Sequence, residues 1–214
     1  MATITKKEKI IIMKGGFSVE DFKKELHKTA SNCKGKKFSL HLETVFVDCI
    51  SETSHLGAFK IPENFNKLFI SNSIIGTFDV FAPSVEEIIC NNTHFKDEFR
   101  IDFMGESAEY KDGDSRNVLL RNCEFGIMQL YNQPLSDFDL YRCIVGHLWL
   151  SNICCYEEED CGFEIRDTKF YKEIDISFIK GREPNKISVS AELSQLFMAA
   201  IPGVRQIIHL SNHR

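Results

Sequence analysis

The sequence predicts a mainly β protein built as a solenoid with about 20 residues in each coil. Apolar residues recur every five positions through the middle of the chain, and small residues recur every twenty. Residues 118–152 divide into seven groups of five, and the third residue of each group is apolar: Leu120, Phe125, Leu130, Leu135, Leu140, Val145 and Leu150. A period of five matches neither a helix nor an alternating strand. It fits a chain that turns a corner every five residues, so that four corners complete one coil.

The same period appears in two further blocks of the chain. Residues 68–97 place Ile70, Ile75, Val80, Val85, Cys90 and Phe95 at the third positions, and a last pair of groups centres on Ile165 and Phe170. The first residue of each group is mostly small or apolar, so we expect the first and third residues to point inward. The register slips by one residue after Phe95 and again after Phe170.

The longer period marks the corners of the coils. Ser73 and Thr93 are twenty residues apart, as are Cys123 and Cys143. The residues before them are Asn72, Asn92, Asn122 and Arg142. Asparagine tolerates turn geometry, and stacked asparagines can hydrogen-bond along a stack. We therefore expect an asparagine-rich corner that repeats from coil to coil.

These groups of five resemble the pentapeptide-repeat family, in which a central Leu or Phe and a small residue two positions earlier both point inward. The resemblance implies a right-handed quadrilateral parallel β-helix. It covers about 75 residues in clean register, as counted from the groups quoted above. Large first residues such as Phe78, Met128 and Phe138 depart from the family pattern.

The pattern divides the chain into three parts. We predict an N-terminal α/β cap over 1–37, a solenoid over 38–189, and a C-terminal helix and strand cap over 190–214. Two stretches lengthen the coils and predict insertion loops, one near 105–117 and one near 153–162. Insertions in solenoids become loops, often on a binding face.

The ends of the chain change from the period of five to other patterns. Lys9–Met13 reads as a strand, Gly15-Gly16 as a turn, and Ser18 as the N-cap of a helix over Val19–Ser31. Phe22, Leu26 and Ala30 form one apolar stripe on that helix, and a strand follows from Phe38.

The C-terminal part predicts a second helix. Ser190 is a candidate N-cap for a helix over 191–201, and a last strand is expected at Val204–Leu210. Repeat arrays need covered ends, so this helix is expected to be a cap. The alternative is a homodimer contact through 190–214.

Composition places the chain among ordinary globular proteins. It has 214 residues, of which 43% are hydrophobic and 27% are charged, and a net charge of −5. Residues 68–180 hold 10 Lys/Arg against 21 Asp/Glu, a balance of −11, which disfavours direct binding of nucleic acid. No run reaches membrane-spanning length, and eight Cys without a leader sequence suggest reduced thiols, so we expect a cytoplasmic protein.

The sequence offers no constellation typical of an enzyme. Cys154, Cys155 and Cys161 share one predicted loop, but they lack the repeated C-x-x-C spacing of a zinc site. The histidines fall in no known catalytic motif, and the acidic residues single out no pair of carboxylates. We therefore predict a non-catalytic protein without cofactor or metal. A polysaccharide-active β-helix enzyme stays open as an alternative.

The leading hypothesis is a solenoid that binds a protein partner. Members of the pentapeptide-repeat family with many outward carboxylates bind topoisomerases as mimics of DNA. The resemblance therefore implies an acidic mimic that inhibits or protects a DNA-acting enzyme, a topoisomerase or an enzyme of phage or bacterial defence; an anti-defence protein would fit as well. The candidate partner-binding residues are Asp79, Glu86, Glu87, Asp97, Asp102, Glu124, Asp139, Glu157, Glu158, Glu159, Asp160, Glu164, Asp167 and Asp175.

A second hypothesis is an interaction scaffold without mimicry. Its contacts would come from the two insertion loops and from the terminal units. Tyr131, Tyr141 and Trp149 are expected to be exposed and would suit an interface, because aromatic residues are enriched at protein interfaces.

Overall fold

The computed structural model of the chain is dominated by parallel strands. It describes residues 2–4, 9–33, 36–51, 65–81, 85–103, 116–131, 134–155, 162–179, 186–190, 193 and 206–210. The strands are β1 Ala2–Ile4, β2 Ile10–Gly16, β3 Phe38–Ser51, β4 Phe65–Ser71, β5 Ile74–Phe81, β6 Glu87–Asn91, β7 His94–Asp102, β8 Arg116–Arg121, β9 Glu124–Tyr131, β10 Pro134–Tyr141, β11 Ile144–Cys155, β12 Gly162–Arg166, β13 Lys169–Phe170, β14 Ile174–Phe178, β15 Lys186–Ser190 and β16 Gln206–Leu210. One α-helix is described, α1 Val19–Ser31.

The strands stack in two parallel ladders that diverge from β3. The first half of β3 pairs with β4, and the first ladder then continues through β6, β8, β10, β12, β15 and β16. The second half of β3 pairs with β5, and the second ladder continues through β7, β9, β11 and the short strands β13 and β14. From β4 to β13, consecutive strands along the chain alternate between the two ladders. This is the topology of a β-solenoid, as the sequence predicts.

The inward positions predicted from the period of five are confirmed. The third residues are buried from Ile70 to Ile165 wherever their burial is described, and Phe170 is half-buried. First residues such as Phe78, Met128 and Phe138 are also fully buried, although they are large. Leu135, Pro83 and Gln133 lie among the residues whose burial the structure does not describe. The two inward columns form one continuous core along the stack.

Of the corners that were predicted every five residues, every second one is wrong. Strands β5, β7, β9 and β11 each run through two groups of five instead of ending after one. Where a corner was expected, the strands continue through Gly76, Gly126 and Gly146. The buried residues that flank each glycine, such as Ile75 and Phe78, are three positions apart, which in a straight strand would put them on opposite faces, so the chain bends at these glycines. The strand β7 has two residues, Lys96 and Asp97, where its neighbours have a single glycine, as the register shift between Phe95 and Glu98 shows. This extra residue is the cause of the slip after Phe95.

The predicted N-terminal helix is confirmed at both of its ends. Ser18 is its N-cap and accepts a hydrogen bond from the backbone N–H of Asp21 at 3.1 Å. Phe22, Leu26 and Ala30 are buried against the core of the first coils. The predicted turn at Gly15-Gly16 is wrong, because β2 extends through both residues and pairs with β3. Gly15 accommodates the local shift in register with φ of +106°.

The ends of the strands β8 and β11 differ from the bounds of the two predicted insertion loops. The strand β8 begins at Arg116, inside the expected loop at 105–117, and β11 continues to Cys155, inside the loop at 153–162. Cys154 is buried in β11 and does not lie in a loop. Of the helix expected over 191–201 only Leu193, which is buried, falls within the described residues. Ser190, its expected N-cap, is instead the last residue of β15.

Candidate partner-binding surfaces

A left-handed residue forms the corner between the two ladders in every coil described. Its φ lies between 49° and 55° at Thr44, Asn72, Asn92, Asn122, Arg142 and Asp167. Asparagine and aspartate adopt this conformation at less cost than other non-glycine residues, which explains their place at the corner. The side-chain amide of Asn92 donates to Asn72 Oδ1 at 3.3 Å, as expected for stacked asparagines.

From Asn72 onward, the residue after each corner is Ser, Thr or Cys and closes the turn from inside. The Ser73 hydroxyl donates to the carbonyl of Ser71 and accepts from the N–H of Val45. The Thr93 hydroxyl and the Cys123 thiol donate to the carbonyls two residues earlier, at 2.9 and 3.2 Å. The hydrogen bond with Cys123, and next burial, raise the pKa of the Cys143 thiol, so this thiol stays protonated. The inward Cys123 and Cys143 therefore contribute hydrogen bonds that close the turn.

The residue that follows points outward and builds a strip along the stack. We call this the corner strip: Phe46, Ile74, His94, Glu124, Ile144 and Lys169, which are paired in register from β3 to β13. Phe46, Ile74 and Ile144 are 45%, 38% and 37% exposed, unusual values for large apolar residues on a regular strand. Between them, His94 Nε2 lies 3.9 Å from Glu124 Oε1.

A shallow groove of about 480 Å³ lies between the corner strip and the corner asparagines. Its walls come from Phe46, Asn72, Ser73, Ile74, Asn92, Thr93, His94, Asn122 and Glu124. The apolar side chains supply contact area, and the asparagine amides supply donors and acceptors. This mixture is typical of protein interfaces, where apolar contacts are surrounded by polar ones.

Most of the predicted acidic residues that the structure describes have a cationic neighbour. Glu86 and Glu87 contact Lys37 and Lys67 at 2.6 and 3.1 Å. The contact with Lys37 lowers the pKa of Glu86. Asp167 and Glu164 lie 3.8 and 3.3 Å from Arg142 and Arg166. These pairs reduce the negative charge that the solenoid presents to a partner.

Apart from Glu124, which lies on the corner strip, the remaining predicted acidic residues fall into three groups. Asp79 and Asp139 face outward but are only 6% and 7% exposed, so they are poorly placed to touch a partner. Asp97 and Asp175 are exposed and Asp102 is half-buried. Glu157, Glu158, Glu159 and Asp160 lie outside the described residues.

Asp139 connects three neighbouring strands. Its Oδ2 lies 3.3 Å from Arg121 Nη2 on β8 and 3.1 Å from Arg166 Nη2 on β12. The guanidinium groups of Arg142 and Arg166 stack on the ring of Tyr141, at 4.9 and 5.2 Å from its centroid. The cluster stabilises consecutive coils. Together with Glu164 and Asp167, which contact Arg166 and Arg142, its three carboxylates balance three guanidinium groups.

Replacing Asp139 with asparagine is expected to lower the free energy of unfolding by about 1.5 kcal/mol, because two charge-assisted hydrogen bonds are lost. Both arginines can reach solvent, which keeps the loss at this modest level. Urea denaturation of Asp139→Asn would measure it. The matched control is Asp175→Asn, on an exposed position of β14, with an expected change below about 0.5 kcal/mol. Equal losses in the two variants would contradict a structural role for Asp139.

A second polar cluster lies on the half of the second ladder beyond the glycine bend. Asp79 Oδ1 is 3.7 Å from Arg100 Nε, and the Arg100 guanidinium stacks 5.2 Å from the centroid of Tyr131. Burial, and next the charge of Asp79, raise the pKa of Glu98. Tyr131 and Trp149, which were expected to be exposed, are half-buried on this face, as is Tyr141 on the first ladder.

Among the described residues, no group of three or more His, Cys, Asp or Glu is arranged to hold a metal ion. The helical segment in the described part of the chain is too short to cross a membrane. Comparison with known family models, curated proteins and solved structures finds no match to this chain.

Phe46, Ile74 and Ile144 were not identified as candidates from the sequence. The sequence did contain a signal for them. Each comes one position after the inward residue that follows a corner (Val45, Ser73 or Cys143), where the alternation of a strand predicts an outward side chain. The period of five emphasised the inward positions and gave no reason to examine the outward ones.

Proposed function

We propose that this chain is a non-catalytic, protein-binding β-solenoid that contacts its partner through the corner strip. The observation that supports this is the run of exposed Phe46 and Ile74 beside the groove at the asparagine corner. Exposed apolar residues that adjoin each other and are rimmed by polar groups mark interaction sites. A parallel stack holds such residues one strand spacing apart, about 4.8 Å, on a rigid backbone.

The acidic mimic is the narrower form of this proposal. The excess of 11 acidic charges over residues 68–180 supports it, and Asp97, Asp102 and Asp175 are the described residues best placed for it. The ion pairs with lysine and arginine act against it, because a mimic of DNA needs an unbroken negative surface. The corner strip is therefore the form that the geometry favours.

Beyond the two ladders, we also propose the handedness of the solenoid and the role of α1 as a cap. Parallel strands joined by crossovers wind right-handed in nearly all proteins, so we propose a right-handed solenoid, the winding that a relation to the pentapeptide-repeat family also implies. The packing of α1 on the first coils supports its role as a cap of that end.

The test compares tagged variants in parallel capture experiments from bacterial lysate. Ile74→Asp is expected to lower recovery of a specific partner at least tenfold, because a carboxylate would be desolvated at the contact. Phe81→Asp is the matched control, since Phe81 is equally exposed (39%) but lies outside the corner strip.

A triple variant distinguishes the acidic form. Asp97→Asn/Asp102→Asn/Asp175→Asn is expected to leave recovery unchanged, and excess duplex DNA is expected not to displace the partner. Loss of the partner in this variant, together with displacement by DNA and retention by Ile74→Asp, would contradict binding through the corner strip and would favour mimicry.

A further inference from the structure

We infer that the corner strip binds a second copy of this chain, with the two solenoids antiparallel. The inference rests on the proposed function, because it names the partner of the same surface. It differs from the homodimer contact through 190–214 considered above. The argument comes from the order of side chains along the strip and from their charges.

The strip has a nearly palindromic order along the stack. From β3 to β13 it reads aromatic, aliphatic, imidazole, carboxylate, aliphatic and amine, at the residues Phe46, Ile74, His94, Glu124, Ile144 and Lys169. The centre of this order lies between His94 on β7 and Glu124 on β9. Two-fold dimers require a surface that is complementary to itself.

A two-fold axis parallel to the strands, placed between β7 and β9, reverses the order of the coils in the second copy. Ile74 then faces Ile144 of the second copy, and His94 faces Glu124 of the second copy. Phe46 faces Lys169 of the second copy, whose aliphatic stem can lie on the ring. Near the centre, apolar Ile74 thus meets apolar Ile144 of the second copy. The imidazole of His94 meets the carboxylate of Glu124 of the second copy.

A second two-fold axis is possible in the plane of the interface, and it runs along the stack. This axis gives a poorer match between the facing side chains. It would place Glu124 against Glu124 of the second copy and His94 against His94 of the second copy. Like charges directly opposed across an interface are destabilising. Charge complementarity therefore selects the antiparallel arrangement.

The columns beside the strip agree with this choice. At the glycine bend, Gly76 would face Gly146 of the second copy, and Asp48 would lie near Tyr171 and Lys172 of the second copy. The exposed Lys96 and Asp97 would lie near Gly126 of the second copy. At the corner, Asn92 would face Asn122 of the second copy, and amides can donate and accept across a two-fold axis.

The size of the strip sets the expected affinity. Five strand spacings give a length of about 24 Å, and a strip one face wide buries less than the roughly 800 Å² per partner of a standard interface. We therefore expect a weak dimer with a dissociation constant on the order of 10 μM.

Sedimentation velocity over about 1 to about 300 μM protein tests the inference. The wild-type chain is expected to shift from monomer to dimer. Ile74→Glu and Ile144→Lys, each alone, are expected to weaken association at least tenfold. The double variant is expected to regain it, because residue 74 of one copy would meet residue 144 of the other. Within one chain these positions are three coils apart, about 14 Å, so the rescue cannot come from a contact inside one copy.

Phe81→Glu, outside the strip, is the control and is expected to dimerise like wild type. Circular dichroism identifies variants that fail to fold, and Glu124→Lys then serves as the replacement single variant. A wild-type chain that stays monomeric at every concentration overturns the inference, as does a folded double variant that does not regain association. A monomeric wild type whose captured partner is still lost in Ile74→Asp would overturn the dimer and leave the proposed function standing.

Discussion

Replacing Phe95 with alanine is expected to lower the free energy of unfolding by about 4 kcal/mol, among the largest losses for a single core side chain. Phe95 is fully buried in the middle of the stack. Its ring stacks on Phe125 with centroids 5.2 Å apart and planes at 4°, and it lies 4.6 Å from Phe99. Removing it leaves a cavity between three consecutive coils, which the regular backbone cannot close.

The position of Phe95 adds a second expectation. Each coil of a solenoid contacts only its neighbours, so a defect in the middle separates the coils before it from those after it. Urea denaturation of Phe95→Ala, followed by circular dichroism and by tryptophan fluorescence, is expected to give non-coincident transitions, since Trp149 lies on the C-terminal side. Phe81→Ala is the control, with an expected loss below about 1 kcal/mol. A comparable loss in both variants would contradict the importance of the aromatic stack.

Replacing Gly146 with alanine is expected to cost about 3 kcal/mol, although it adds only one methyl group. A Cβ at this position would lie 2.1 Å from the backbone oxygen of Gly126 in the adjacent coil. The obstacle is backbone and not the end of a flexible side chain, so two hydrogen-bonded strands must move apart. Gly76 and Gly126 meet the same obstacle, with distances of 2.0 and 2.5 Å to the oxygens of Asp48 and Asp97.

Gly16→Ala is the matched control, because a Cβ there meets nothing within 4 Å. Its expected change in the free energy of unfolding is below about 0.5 kcal/mol, and thermal and urea denaturation of both variants would measure the difference. If Gly146→Ala were as stable as wild type, the coils would have to be further apart at the bend than the structure places them.

The inward half of the molecule could be predicted from the sequence because burial selects residue type at each position. Val118 and Leu120 alternate on a strand, and both must be apolar to enter the core. The helix α1 could be predicted for a similar reason: Ser18 supplies the cap and Phe22 and Leu26 supply the stripe. Local signals of this kind do not depend on distant residues.

The bends at Gly76, Gly126 and Gly146 could not be distinguished from corners in the same way. A glycine in a strand signals a bend, a bulge or a close approach, and the neighbouring coil decides which. The ion pairs also depend on the position of the neighbouring coil. Arg121 and Asp139 are 18 residues apart, and only the coil spacing brings them within 3.3 Å.

By itself, the sequence determined that the protein is a β-solenoid, which side chains fill its interior and where its asparagine corners lie. These features repeat with the period of the coil, and a periodic pattern can be read along one dimension. The tertiary structure alone shows that most of the described acidic residues predicted to bind a partner have cationic neighbours, and that Phe46, Ile74 and Ile144 lie on one strip. Outward side chains are selected by what lies across from them on adjacent coils, and the lengths of the intervening loops set that register.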